Sequence, residues 1–229
     1  MLRGLTASVG AGDAVAVIGR NAAGKTTLLR AMAGLIRART GEVRLDGNNV
    51  AMLAPRQRAR RLAFVAQRPI VAAAFTVRES VALGSFARGS DLPRVAVELD
   101  RFGLTECADR PFHALSVGQQ QRAALARAFV QADARSLLFV DEPFAAMDLG
   151  ETSRCLGHLR KHAENGGAVV AVLHDLAQAT ALASRVWLID DGRLAADGAA
   201  VDVLQAEKLT HWFGVPFDVG PHGPIARLH

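Results

Sequence analysis

The chain has 229 residues, half of them apolar, with 27 basic against 22 acidic side chains for a net charge of +5. That length suits one large domain with a sub-domain and a sizeable core, and the composition excludes a disordered or collagen-like chain. No run approaches the ~18 uncharged apolar residues of a membrane helix, and Met1 to Gly12 lacks the basic-then-apolar order of a secretory signal.

The elements alternate along the chain. Apolar runs predict strands over 14–18, 42–45, 62–66, 137–140 and 168–173, and helical patterns fall at 25–34, 76–83, 93–102 and 118–131. Further helices are predicted over 151–164 and 176–183. The fully apolar run 168–173 predicts a central strand. Strands over 186–189 and 194–196 flank Asp190-Asp191-Gly192-Arg193, a hairpin signal. Arg56, Arg58, Arg60 and Arg61 predict the solvated face of a short helix. The tail from Phe213 is rich in Gly and Pro and predicts an appendage. Cys107 and Cys155 lack CxxC spacing and disulfide logic, which fits a reduced cytosolic setting. Strand–helix alternation makes the expected fold α/β with a mostly parallel sheet, an antiparallel β portion and a helical sub-domain. The expected division is one domain over 1–229: a core over 1–75 and 133–212, a helical sub-domain over 76–132, and the appendage over 213–229.

The strongest motif is Gly19-Arg20-Asn21-Ala22-Ala23-Gly24-Lys25-Thr26-Thr27, which fits G-x-x-x-x-G-K-[ST] between a strand and a helix. Backbone N–H groups and the positive helix end suit phosphate oxygens. Lys25 adds a charge near the β- and γ-phosphates, and the Thr26 hydroxyl suits Mg²⁺. Next, Leu137 to Val140 ends in Asp141-Glu142-Pro143. This sets two carboxylates at the carboxyl end of a buried strand, where α/β sheets bind ligands. Asp141 suits Mg²⁺ through water, and Glu142 suits polarising an attacking water. Alone, Asp-Glu-Pro after a strand is also an ordinary turn; beside the first motif, the chemical reading is the stronger.

Leu115-Ser116-Val117-Gly118-Gln119 opens the long helix. Ser three residues before Gln is a capping box, and a capped helix start is also an anion site. Here the chain resembles the ATP-binding cassette (ABC) ATPases, whose signature is LSGGQ. The resemblance implies that Ser116, Val117, Gly118 and Gln119 face ATP held by an opposite subunit, so a homodimer holds two ATPs. It makes Gln67 a Q-loop glutamine near Mg²⁺, Asp148 a dimer-interface residue, and His174 a switch histidine working with Glu142.

Three features depart from the family pattern. Ala22 stands where glycine is usual, which implies either a negative φ or a small strain. Val117 replaces the first signature glycine. Met1 to Leu5 resembles the segment just after the aromatic strand that usually stacks on adenine, so the expectation is that this strand is missing; the sequence has no tyrosine. The expected consequences are weaker adenine binding and an unpaired sheet edge.

Gln67 and Ser116 are 49 positions apart, which leaves no room for the long coiled coil of DNA-repair relatives. The arginines are scattered, so nucleic acid is not an expected partner. Arg58 to Gln67, His174 to Ala179 and Gly192 to Gly198 are similar to the iron-siderophore, haem and cobalamin uptake group. Gly84-Ser85-Phe86-Ala87 does not match that group. The resemblance implies a peripheral ATPase on the cytoplasmic face of the inner membrane. It would drive two permease subunits, with an extracytoplasmic substrate-binding protein. Arg68, Pro69 and residues 71–75 are the expected permease surface. An exporter subunit, a cassette for another cargo and a regulatory cassette with little turnover stay open; so does a DNA-associated ATPase, which predicts salt-sensitive DNA binding.

Overall fold

Five apolar strands run parallel in the computed structural model, which describes residues 2–71, 74–89, 91–220 and 223–227. These are β1 (Ala14–Ile18), β4 (Leu62–Val65), β5 (Leu137–Asp141), β6 (Ala168–Val172) and β7 (Arg185–Asp190); β2 (Arg44–Leu45) and β3 (Asn48–Asn49) form a separate small hairpin. With antiparallel β8 (Arg193–Ala199), the order across the sheet is β4-β5-β6-β1-β7-β8. Every residue of β1 and β6 is buried. Both faces of the sheet are covered, so these strands read as unbroken apolar runs.

The period of two splits the sheet between two cores. Ala14, Ala16, Ile18, Val169, Ala171, Val186 and Leu188 face one side. Val15, Val17, Val170, Val172, Trp187 and Ile189 face the other. The second core is closed by α1 (Lys25–Met32) through Leu28 and Leu29. The first is closed by α5 (Val117–Gln131), α6 (Leu149–Glu164) and α7 (Leu176–Leu182). Each fully buried Leu, Val or Phe contributes about 1.5–3 kcal/mol. Leu5, Ala7 and Val9 run along the second core without joining the sheet.

The helical stretch holds α3 (Val77–Ala82), a 3-10 turn over Leu83–Ala87, and α4 (Leu92–Arg101), all against α5. Thr76 and Glu79 cap α3 reciprocally, as do Ser116 and Gln119 at α5. The Asp-Gly turn joins β7 to β8, with Asp190 paired to Arg193.

One expectation needs correction. The arginines around α2 (Pro55–Ala59) are not simply a solvated face. Arg58 donates to the Gly34 carbonyl at 2.8 Å, Arg56 and Arg60 donate to the Ala87 carbonyl at 3.2 and 3.0 Å, and Arg61 pairs with Asp46 at 2.7 Å. Loose carbonyls beyond the ends of neighbouring elements recruit them. The C-terminal region is built of two short helices and a hairpin. Short α8 (Ala200–Val203) is followed by α9 (Ala206–Phe213), whose Leu209 is fully buried. A hairpin of β9 (Phe217–Gly220) and β10 (Gly223–Ala226) then lies against α7. Among the described residues of that tail, Gly214 caps α9 with φ +71°, and Gly220 pairs with Gly223 across the hairpin.

Candidate nucleotide site

Strand β1 ends at Ile18, and the chain folds back into α1 through a loop whose first residue, Gly19, has room only for glycine. A Cβ on Gly19 would lie 2.1 Å from the Ile189 carbonyl oxygen. Gly24 is the N-cap of α1 and offers no side-chain cap. The first N–H groups of α1 are therefore free for an anion. Gly192 of the β7–β8 turn braces the loop from outside, its N–H donating to the Ala23 carbonyl at 3.0 Å.

Ala22 resolves the choice left by the sequence. Its φ is +63°, in the left-handed region that costs a residue with a Cβ about 1–2 kcal/mol. The substitution for glycine is thus a strained one.

Lys25 is 5% exposed. Its Nζ donates to the carbonyls of Gly19 at 2.8 Å and Arg20 at 3.0 Å, spanning the loop from inside. Burial pulls the ammonium below the usual lysine range, and the charges of Glu142 and Asp141 oppose that.

Asp141, at the end of β5, has no solvent exposure. Thr26 Oγ1 donates to its Oδ1 at 3.0 Å, and its Oδ2 has no partner. Burial pushes this carboxyl above the usual range. The Thr26 hydrogen bond opposes, Glu142 adds to the rise, and Arg30 and Lys25 oppose. An orphaned, buried carboxylate oxygen beside a hydroxyl is the donor set of a hard cation such as Mg²⁺. Among the described residues no group of three His, Cys, Asp or Glu could hold a metal. A cation that keeps waters and shares phosphate oxygens needs fewer protein ligands.

Glu142 follows with φ +48°, its N–H held by the Val172 carbonyl at 3.1 Å. Gln67, just past β4, donates from Nε2 to Glu142 Oε2 at 2.6 Å. His174, just past β6, bonds Glu142 Oε1 through Nε2. Three adjacent strands thus deliver Gln67, Glu142 and His174 to one point. A cavity of about 410 Å³ is lined by Asn21, Ala22, Gly24, Lys25, Thr26, Thr27, Gln67, Glu142 and His174.

Ser116, Val117, Gly118, Gln119 and Asp148 do not line this cavity. Ser116 Oγ accepts from the Gln119 N–H at 3.2 Å, and Gln119 Oε1 accepts from the Ser116 N–H at 3.0 Å. Val117 is 58% exposed. Asp148 caps α6, accepting from the Glu151 N–H at 2.7 Å. Sequence reasoning missed Gln121, 2% exposed, whose Nε2 donates to the Gln67 carbonyl at 3.3 Å. The signal was a third glutamine in a row that falls on the buried side of α5.

A phosphate-loop motif at the end of β1, with two carboxylates at the end of β5 two strands away in the same parallel sheet, is the arrangement of a nucleotide-binding ATPase. The family model described as ABC transporter matches residues 2–145. The hemin import ATP-binding protein HmuV of Rhodococcus jostii is 39% identical over 228 residues, covering 97% of this chain and 77% of the relative. Its counterpart in Nocardia farcinica is 42% identical over 222 residues, covering 94% and 76%. An inward-facing metal-chelate type ABC transporter superposes with TM-score 0.74 at 26% identity, over 96% of this chain and 87% of that one. A dimeric ATP-binding cassette in a post-hydrolysis state with ADP and Pi gives TM-score 0.80 at 26% identity, over 87% and 90%. The chain belongs to the ABC transporter family as an ATP-binding, ATP-hydrolysing cassette.

The raised Asp141 carboxyl gives a pH test. Below its unfolded value, near ~3.9, the group is protonated in both states and costs nothing; the cost of ionising it grows as pH climbs through the raised folded value. Asp141→Asn should therefore raise the thermal midpoint of the nucleotide-free chain at pH 7, and the gain should vanish at pH ~3. An equal shift at both pH values contradicts the assignment.

Proposed function

We propose that this cassette powers uptake of haem or a related iron chelate through separate permease subunits. The observation that carries the motor reading is the convergence of Gln67, Glu142 and His174 beside the Lys25 loop. The cargo reading is supported by the relatives named as hemin import ATP-binding proteins, similar over most of this chain.

In this reading the α1 N–H groups and Lys25 cradle the β- and γ-phosphates. Lys25 must leave the Gly19 and Arg20 carbonyls to reach them. Thr26, Asp141 and Gln67 would hold Mg²⁺, whose charge offsets that of the phosphates. Glu142 takes a proton from the attacking water, and His174 orients the carboxylate and the γ-phosphate. Both Glu142 oxygens are bonded in the nucleotide-free chain, so one bond must open before water is polarised. Catalysis is mostly positioning and charge stabilisation.

The signature residues stand outside the cavity, which supports a head-to-tail homodimer: Ser116 to Gln119 of one copy close over the nucleotide of the other. The helical stretch 76–132 carries that signature. The permease surface is best placed at the exposed Arg68 and half-buried Pro69, extended by Ile70 and Phe86, which are 84% and 82% exposed. Of the expected 71–75 stretch, residues 72 and 73 lie outside the described residues, and Val71 leans on the core. The assembly sits on the cytoplasmic face of the membrane with an extracytoplasmic substrate-binding protein.

Glu142→Gln should keep MgATP binding and lower kcat by about 10²-fold or more; an unchanged kcat removes Glu142 as the base and favours a binding cassette with little turnover. Deleting the gene should abolish growth on haem as the iron source and spare growth on inorganic iron. Unimpaired growth on haem contradicts the cargo.

A further inference from the structure

Away from the nucleotide cavity, one arginine joins three elements. Arg122 lies on α5, six positions past Ser116. Its Nη1 donates to the carbonyls of Phe102 at 2.7 Å and Gly103 at 3.1 Å. These lie just beyond the C-terminal end of α4, where a cation also meets the negative end of the helix dipole. Its Nη2 pairs with Glu151 Oε1 at 2.7 Å, the two side chains being 11% and 19% exposed. Glu151 stands in the first turn of α6, and its own N–H is the one that donates to Asp148.

One turn earlier on α5, Gly118 presses on the loop that leads into α6. A Cβ there would come within 2.4 Å of the Ala146 carbonyl oxygen. Positions 118 and 122 share one helix face. The start of α5 therefore grips the chain on both sides of Asp148, at Ala146 before it and at Glu151 after it. A cavity of about 60 Å³ beside this junction, lined in part by Phe102, Arg122, Glu151, Cys155 and His158, leaves the packing there incomplete. The polar tie through Arg122 adds to the shared apolar core of α5 and α6 at this junction.

We propose that Arg122 is a positioning residue that locks the Ser116–Gln119 turn and Asp148 into one block, so that both meet the partner copy's nucleotide together. The proposal rests on the composite-site reading above. A guanidinium suits the task, because its fork reaches two carbonyls and a carboxylate at once; a lysine ammonium offers no such fork.

The test compares Arg122→Gln, Glu151→Gln, the double variant and Arg122→Lys in the full chain. Steady-state hydrolysis, MgADP affinity of the monomer, and MgATP-driven dimer formation in a Glu142→Gln background are each measured. Arg122→Gln should lower kcat by about tenfold to a hundredfold, weaken the dimer and leave MgADP affinity unchanged. Glu151→Gln should weaken both in the same direction, with the double no worse than Arg122→Gln, and Arg122→Lys should fall between parent and Arg122→Gln. An unchanged kcat, additive losses in the double, or a parallel loss of MgADP affinity overturns the proposal, the last being the mark of a damaged fold. If Arg122→Gln does not fold, Glu151→Gln and Arg122→Lys decide by the same criteria. A Glu142→Gln chain that fails to dimerise sinks the composite site itself; a dimer equally strong with and without Arg122 sinks only the lock.

Discussion

A carboxylate with no solvent exposure and one hydroxyl partner sits where strand β5 meets helix α1. Burying such a group costs free energy unless something satisfies it. Asp141 is held there by the covalent continuity of an apolar strand, whose Leu138, Phe139 and Val140 have almost no exposure. The strand's burial outweighs the cost of its polar end. The same geometry sets Glu142 one residue further on, in a left-handed turn braced by Val172 on the neighbouring strand. The loop of Lys25 and the carboxylates of β5 are thus placed by two strand ends of one sheet.

Much of this was legible in the sequence because it follows from periodicity. The apolar runs 14–18, 137–140 and 168–173 became fully or mostly buried parallel strands within a residue of their expected ends. Asp-Gly after Asp190 made the hairpin turn, and Ser116 with Gln119 made the capping box. Residues 19–27 and Glu142 were legible from their motifs at strand ends, whereas Gln67 and His174 were placed by the family resemblance; all of them follow strands of one sheet.

What was not legible depends on tertiary contacts. Ala22 has φ +63°, and no local preference of alanine reveals it. The arginines of α2 looked solvent-directed because their acceptors, at Gly34 and Ala87, are distant in sequence. Helix α9 is short, and its apolar face of Leu209, Trp212 and Phe213 finds its partners in core residues distant in sequence. The resemblance assigns Asp148 and Gln119 to a dimer interface; within the chain they cap helices, a role set by their own backbone neighbours.

The proposed active site is composite, with the Lys25 loop and Glu142 from one copy and the Ser116 turn from the other. Mixing two inactive chains tests this directly. One carries Lys25→Ala and cannot hold phosphate; the other carries Ser116→Arg and blocks the signature turn. A composite site predicts that each alone is inactive and that the mixture recovers hydrolysis, since one of the two sites in the mixed dimer is intact. If the mixture stays inactive, or if the Ser116→Arg chain alone hydrolyses ATP at the parent rate, the composite site is contradicted.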